Sequence, residues 1–344
     1  QYEPMNTTSL AQGVPMNAVG IIANPAAGKA IRRLVAQAST FANNEKVNIV
    51  RRILLGLEAA GVQQVWFMPD YYGICNRAME NLGRTLNLNW NYLDFPLDYS
   101  SSDSTKAASI LDGMGVSCIL TLGGDGTNRV VAKGCGQTPL LPISTGTNNV
   151  FPYMMEGTLA GLAAGLLATQ VVSSEEVTEP TRRLEIEDGQ QVVDIALVDV
   201  VIYDERFIGA RAVWEVEKVR QVFLSRAEPY QIGFSSIGGN LDPSTMVDND
   251  GMVIEIGPGP TRVLAPIAPG LVKWIPIQCY TPFKVGEVFP ITPVPSVIAL
   301  DGEREFVADS ALNWSIRLSQ NGPSLVDPKR VLKLAAERGF FLDS

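Results

Sequence analysis

Residues 119–127 read Ile-Leu-Thr-Leu-Gly-Gly-Asp-Gly-Thr. Four residues suited to a buried strand run straight into a turn with glycine at three of five positions. Glycine lets the backbone turn sharply and lets a ligand approach main-chain amides closely. A loop that only holds phosphate has no use for the extra negative charge of Asp125. Beside a polyphosphate, a carboxylate has two useful tasks. It can help hold Mg²⁺, whose charge offsets the phosphates, or it can accept a proton from an attacking hydroxyl. The stretch Gly123-Gly124-Asp125-Gly126-Thr127-Asn128 therefore reads as a phosphoryl-transfer loop. Asp125 serves the reaction or its metal, and its neighbours serve the phosphate.

Two more loops follow strand-like runs. Asn24-Pro25-Ala26-Ala27-Gly28-Lys29 invites a P-loop reading, but that motif needs Gly at 23 and Ser or Thr at 30, where this chain has Ala23 and Ala30. The segment is either a plain strand-to-helix turn or a place where Asn24 and the amides around Gly28 face a phosphate at a helix N-terminus. The third loop is Ser144-Thr145-Gly146-Thr147-Asn148-Asn149, whose hydroxyls and amides could complete a nucleotide site. In a parallel sheet such loops gather at the carboxyl edge, where ligands bind.

Composition narrows the chemistry. The 344 residues suit two domains. There are 27 Lys plus Arg and 36 Asp plus Glu, a net charge of −9. This balance makes a poor nonspecific binder of nucleic acid or anionic membrane. The chain has no histidine. That excludes Ser-His-Asp and Cys-His nucleophile systems and leaves proton transfer to Asp, Glu, Lys, Tyr or Cys. Cys75, Cys118, Cys135 and Cys279 form no C-x-x-C pair, so no metal site of the protein's own is expected. Cysteine usage and the lack of a visible signal peptide or membrane span suit a cytoplasmic protein. The start, QYEPMNTTSLAQG, reads as a loose tail, truncated or processed.

Strand and helix patterns alternate through the first half, starting with VGIIANPAAGK (19–29) and the helical spacing of AIRRLVAQAST. RRILLGLEAAG (51–61) reads as an amphipathic helix, VQQVWFMPD (62–70) as a strand, and SSDSTKAASILDGMG as a capped helix. MEGTLAGLAAGLLATQ (155–170) reads as helical despite three glycines. Strands alternating with helices imply a parallel sheet covered on both faces. After about 180 the texture becomes β-rich, with a hairpin signal at Asp188-Gly189. AVWEVEKVRQVFLSRA (212–227) reads as an amphipathic surface helix that could reach a partner subunit with Arg211, Lys218, Arg220 and Arg226. LVDPKRVLKLAAERG (325–339) reads as a terminal helix. The expectation is α/β. A Rossmann-like domain (14–160) is followed by a β-rich, sandwich-like domain (165–318), and the C-terminal helix returns to the first.

NPAAGK, TLGGDGTNRVV and PISTGTNNVFP in that order, followed by a β-rich half, resemble the ATP-NAD kinase and diacylglycerol kinase superfamily. The wording of GIIANPAAGK and ISTGTNNVFP is most similar to the AcoX-like branch, the acetoin-catabolism protein X group. The resemblance implies a kinase using ATP and nucleotide-borne Mg²⁺, with Gly123, Gly124, Asp125, Gly126 and Thr127 binding phosphate and catalysing. It implies NAD as acceptor, its 2′-hydroxyl being phosphorylated. The Asn-Glu pair by which NAD kinases hold adenosine is replaced here by Val198-Asp199, leaving Asp199 as the substrate contact. Ser235-Ser236-Ile237-Gly238-Gly239 is a loose counterpart of those kinases' Gly-Ser-Thr-Ala segment. A lipid or other small alcohol, or a non-catalytic nucleotide-binding role in a catabolic pathway, remains open. Asp301-Gly302-Glu303 resembles the lipid-kinase side, where a Glu in such a place acts as base; otherwise Asp301 reads as part of an exposed β-turn. Tyr72 lines a substrate cleft or packs at its rim. Arg182-Arg183 contacts a phosphate or forms a solvated pair. A homo-oligomer, dimer or tetramer, is expected.

Overall fold

The computed structural model describes residues 17–25, 42–82, 85–146, 149–207, 216–243 and 250–343. A seven-stranded sheet organises the first half. Its order is β3 (Asn89–Tyr92), β2 (Gln64–Phe67), β1 (Ala18–Ala23), β4 (Cys118–Gly123), β5 (Leu140–Ser144), β17 (Ser324–Val326) and β6 (Thr178–Pro180). The first six strands are parallel, and β6 joins antiparallel. Every residue of β1, β4 and β5 is buried, as strands covered by helices on both faces must be. One face is packed by α1 (Asn43–Ala59), α5 (Gly157–Ala168) and the terminal α8 (Pro328–Glu337). The other is packed by α3 (Ser102–Met114) and α4 (Asp125–Ala132). Helices α2 (Ile74–Leu82), α6 (Ser174–Val177) and α7 (Ser235–Leu241) complete the described set.

The terminal helix returns to the first sheet as expected. Asp327 caps it by accepting from the N–H groups of Lys329 and Arg330, and Val331 and Ala335 enter the core. The glycines of α5 have a packing reason. A Cβ on Gly161 would sit 2.1 Å from the Ile53 carbonyl oxygen, and one on Gly56 2.4 Å from that of Thr158. Helices α1 and α5 therefore meet backbone to backbone, which offsets glycine's unfavourable helix propensity.

The second half has two antiparallel sheets. One runs β12 (Leu271–Phe283), β11 (Gly251–Ala268), β10 (Val219–Leu224), β9 (Asp199–Tyr203), β14 (Ser296–Leu300) and β15 (Glu303–Ala308). The other runs β13 (Val288–Pro290), β16 (Ser315–Ser319), β7 (Arg183–Glu187) and β8 (Val192–Ala196). They share one core through Ile186, Leu318, Val200, Phe223 and Ile298, a sandwich as expected. Helix α7 covers the far face of the larger sheet through Ile237.

One expectation is revised. The helix over 212–227 is instead strand β10, between β9 and β11, after a 3₁₀ turn at Val216–Lys218; 212–215 lie outside the described residues. Its Val219, Val222 and Leu224 bury on one core and Phe223 on the other. A strand buried on both faces has no alternation to display, so its apolar run mimics a helical stripe. Helix α5 runs through 160–165, and β6 ends at Pro180.

The backbone contact of α1 and α5 sets an asymmetric outcome for Gly→Ala changes. Gly161→Ala is expected to lower stability by about 1–3 kcal/mol through overpacking. Gly113→Ala, in α3 with nothing within 4 Å of the new methyl, is expected to raise it by roughly 0.5–1 kcal/mol. Urea unfolding midpoints of the two variants check the contrast.

Candidate active site

Strand β4 ends at Gly123, Gly124 caps α4, and Asp125 is the first helical residue. The glycines answer to close approach. A Cβ on Gly123 would lie 2.4 Å from Thr127 Cβ, and one on Gly124 2.6 Å from Asn149 Oδ1. At Gly126 it would lie 3.7 Å from the Glu303 carboxylate. Glu303, the first residue of β15, thus stands over the loop from the other domain. Among the described residues its half-buried carboxylate accepts no hydrogen bond.

Asp125 is differently employed. Its carboxylate accepts from the N–H of Val150 at 3.0 and 3.1 Å and from that of Phe151 at 2.8 Å. It anchors the chain just beyond the third loop. Through these bonds Asp125 positions the end of the third loop against the second.

Several expected phosphate contacts turn inward. Asn128 is fully buried; its Oδ1 accepts from Thr121 Oγ1 and its amide donates to the Gly124 carbonyl at 2.9 Å. Ser144 Oγ donates to the Gly146 carbonyl and accepts from Asn149 Nδ2, each at 2.8 Å. Thr145 is buried and its N–H donates to the Gly123 carbonyl at 3.3 Å. These polar groups tie the second and third loops into one unit. The Asn24 carbonyl accepts from the buried Lys46 Nζ at 2.8 Å, which fixes the end of β1. Gly28, Thr147 and Asn148 lie outside the described residues.

Tyr72 and Asp301 each have partners within the chain. The Tyr72 hydroxyl donates to Asn44 Oδ1 at 2.8 Å and Arg77 lies over its ring at 4.6 Å, so it is packed at the sheet edge. Asp301 is no exposed turn residue. Its carboxylate accepts from the N–H groups of Leu197, Val198 and Asp199 at 2.7–3.3 Å. Burial pushes its carboxyl above the usual range, while Arg129 and the three amides pull it down. The Asp301 side chain is fully buried. Asp199 itself is buried at the start of β9, and its carbonyl accepts from the Asp301 N–H at 2.9 Å.

Sequence reading missed Arg129. Only 4% exposed, it leaves α4 to reach Asp194 at 3.3 Å, Glu305, and Asp301 at 3.8 Å. Burial works against its charge, but Asp301, Glu305, Asp194 and Glu303 together hold its pKa above the ordinary value. Lys133 joins Asp194 at 2.6 Å. This network fastens the helix of the glycine loop to β8, β14 and β15. No local spacing could announce it, because the partners lie 65 and 176 residues along the chain. Among the described residues no group of three His, Cys, Asp or Glu side chains is placed to hold a metal, and no helix is long and apolar enough to cross a membrane.

Residues 19–171 match the ATP-NAD kinase N-terminal domain, and residues 182–321 match the acetoin catabolism protein X C-terminal domain. The acetoin catabolism protein X of Cupriavidus necator is 40% identical over 299 residues, 83% of each chain. A crystal structure titled as a diacylglycerol kinase from Bacillus anthracis str. Sterne aligns with a TM-score of 0.43 and 15% identity, over 90% of this chain and 96% of that one. A second structure from that organism, also titled as a diacylglycerol kinase, aligns at 0.45 and 14%, over 90% and 97%. Neither likeness reaches a level from which substrate or mechanism follows.

Removing the Asp301 carboxylate separates its two readings. Asp301→Ala strands three buried N–H groups and leaves Arg129 short of a partner, so a loss of about 3 kcal/mol or more is expected. Urea unfolding would show it; a raised KM at unchanged stability would return Asp301 to the substrate.

Proposed function

The chain belongs to the acetoin catabolism protein X family, and from that premise we propose that it is a kinase carrying the terminal phosphoryl of ATP to a hydroxyl. The observation that carries this reading is the Glu303 carboxylate standing over Gly126, within the field of Arg129 but with no hydrogen bond to its oxygens among the described residues. The glycine loop takes the nucleotide's phosphates on its amides. The acceptor hydroxyl enters between that loop and Glu303 and attacks the terminal phosphorus. The bond to the departing ADP oxygen breaks, and Glu303 takes the hydroxyl proton. Most of the rate enhancement comes from positioning and charge stabilisation, as in other phosphoryl transfers. An accompanying Mg²⁺ supplies charge neutralisation at the phosphates. With no protein cage for it among the described residues, it would be held by the phosphates, with the Asp125 and Glu303 carboxylates beside the loop.

NAD is the acceptor we favour, supported by the match of the first half to the ATP-NAD kinase domain. One observation favours another alcohol. Val198 is buried in the core and its N–H is spent on Asp301, so position 198 offers no side chain to adenosine. A site built to hydrogen-bond a substrate discriminates through such contacts.

The test is incubation with Mg-ATP, NAD and a panel of alcohols, the product being identified by mass spectrometry. NADP is the expected product; another phosphorylated alcohol would move the acceptor. No product from any acceptor would leave a nucleotide-binding protein without turnover. With the acceptor known, Glu303→Gln is expected to cut kcat by roughly 10²–10⁴-fold at an unchanged unfolding midpoint. Wild-type turnover in that variant would remove Glu303 as the base.

A further inference from the structure

Two arginines that the mechanism does not use lie where the halves of the molecule meet. Arg226 follows β10, and its guanidinium stands 4.7 Å over the Phe151 ring. Phe151 is the residue whose N–H Asp125 holds. Arg182 lies on the crossing from β6 to β7. Each keeps a buried nitrogen without a partner, Nε of Arg226 and Nη1 of Arg182. Among the described residues neither guanidinium is hydrogen-bonded or ion-paired. The protein partners comparable arginines elsewhere: Arg129 has Asp194 and Glu305, and Arg183 has Glu185 at 2.6 Å.

The electrostatics are those of a pair awaiting a counter-charge. Burial lowers the Arg226 pKa, and neighbouring Arg182 lowers it further; Asp125, Asp301 and Tyr153 act the other way. Burial likewise lowers that of Arg182, with Asp250 opposing. Asp125 and Asp301 are already committed to backbone amides. Both arginines are half-buried, and a guanidinium nitrogen withdrawn from water without a partner is costly. An oxyanion relieves that cost, since two guanidinium groups can each give it charge-assisted hydrogen bonds.

We infer that Arg182 and Arg226 form an oxyanion subsite for a phosphate or carboxylate group, next to the glycine loop and apart from it. Which molecule brings the group rests on the kinase reading. Either the nucleotide's phosphates extend to the pair, or the acceptor is an alcohol bearing an acidic group.

Calorimetry on the full chain tests this without turnover, using inorganic pyrophosphate as probe. Wild type is expected to bind it. Arg182→Gln and Arg226→Gln should each weaken binding roughly tenfold or more, with partial recovery in Arg226→Lys. Arg220→Gln, whose guanidinium pairs with Asp204, should bind as wild type does. Loss of pyrophosphate binding on saturation with ATP, together with ATP affinity weakened in the arginine variants, assigns the subsite to the nucleotide. Pyrophosphate binding to the ATP-loaded protein assigns it to the acceptor. No pyrophosphate binding by wild type, or equal binding by wild type and both Gln variants, overturns the inference. Binding lost in the Gln variants while no alcohol is phosphorylated keeps the subsite and removes the kinase reading.

Discussion

The site depends on one buried carboxylate. Asp301 sits at the turn between β14 and β15 with φ of +48°, followed by Gly302 at +83°. Asp and Gly tolerate this left-handed backbone better than most residues. From that turn the carboxylate gathers three successive amides at the start of β9 and draws Arg129 across from α4. The next residue but one is Glu303. Its station over Gly126 is therefore a consequence of how Asp301 is held.

The same device recurs. Asp125 gathers the amides of Val150 and Phe151. Asp112 takes the N–H groups of Gln137 and Thr138, and Asp70 those of Tyr72 and Ile74. A short side chain with four lone-pair directions can satisfy two or three loop N–H groups that no strand or helix would reach. Loops at both edges of the first sheet are thus shaped by aspartates spending their charge on main chain. Glu303 makes no such bond among the described residues and faces Gly126 instead.

That division explains what could be read from the residues alone. The alternating first half, the β-rich second half and the returning terminal helix are legible because periodicity and caps are local. The glycine loop is legible because its spacing is contiguous. The role of Asp125 is not, since a carboxylate in a glycine turn looks alike whether it faces a ligand or an amide 25 residues away. Asp301 misleads for the same reason: Asp-Gly marks the turn correctly and says nothing of burial. Strand β10 is illegible because burial on both faces erases the period. Arg129 and Arg226 carry no local mark at all, as their environments are assembled from distant segments.

The two halves of the proposed chemistry sit on separate scaffolds. The glycine loop belongs to the parallel sheet and Glu303 to an antiparallel one, joined beside the loop by the Arg129 charges. On that reading, nucleotide capture and proton removal are faults that can arise independently. A chain with its halves misaligned still sequesters nucleotide but lacks the group that opens the acceptor to attack. Such a protein would act as a sink for its own cosubstrate, and damage far from the loop, on the Asp194 or Glu305 side, would be felt as idleness rather than as weak binding.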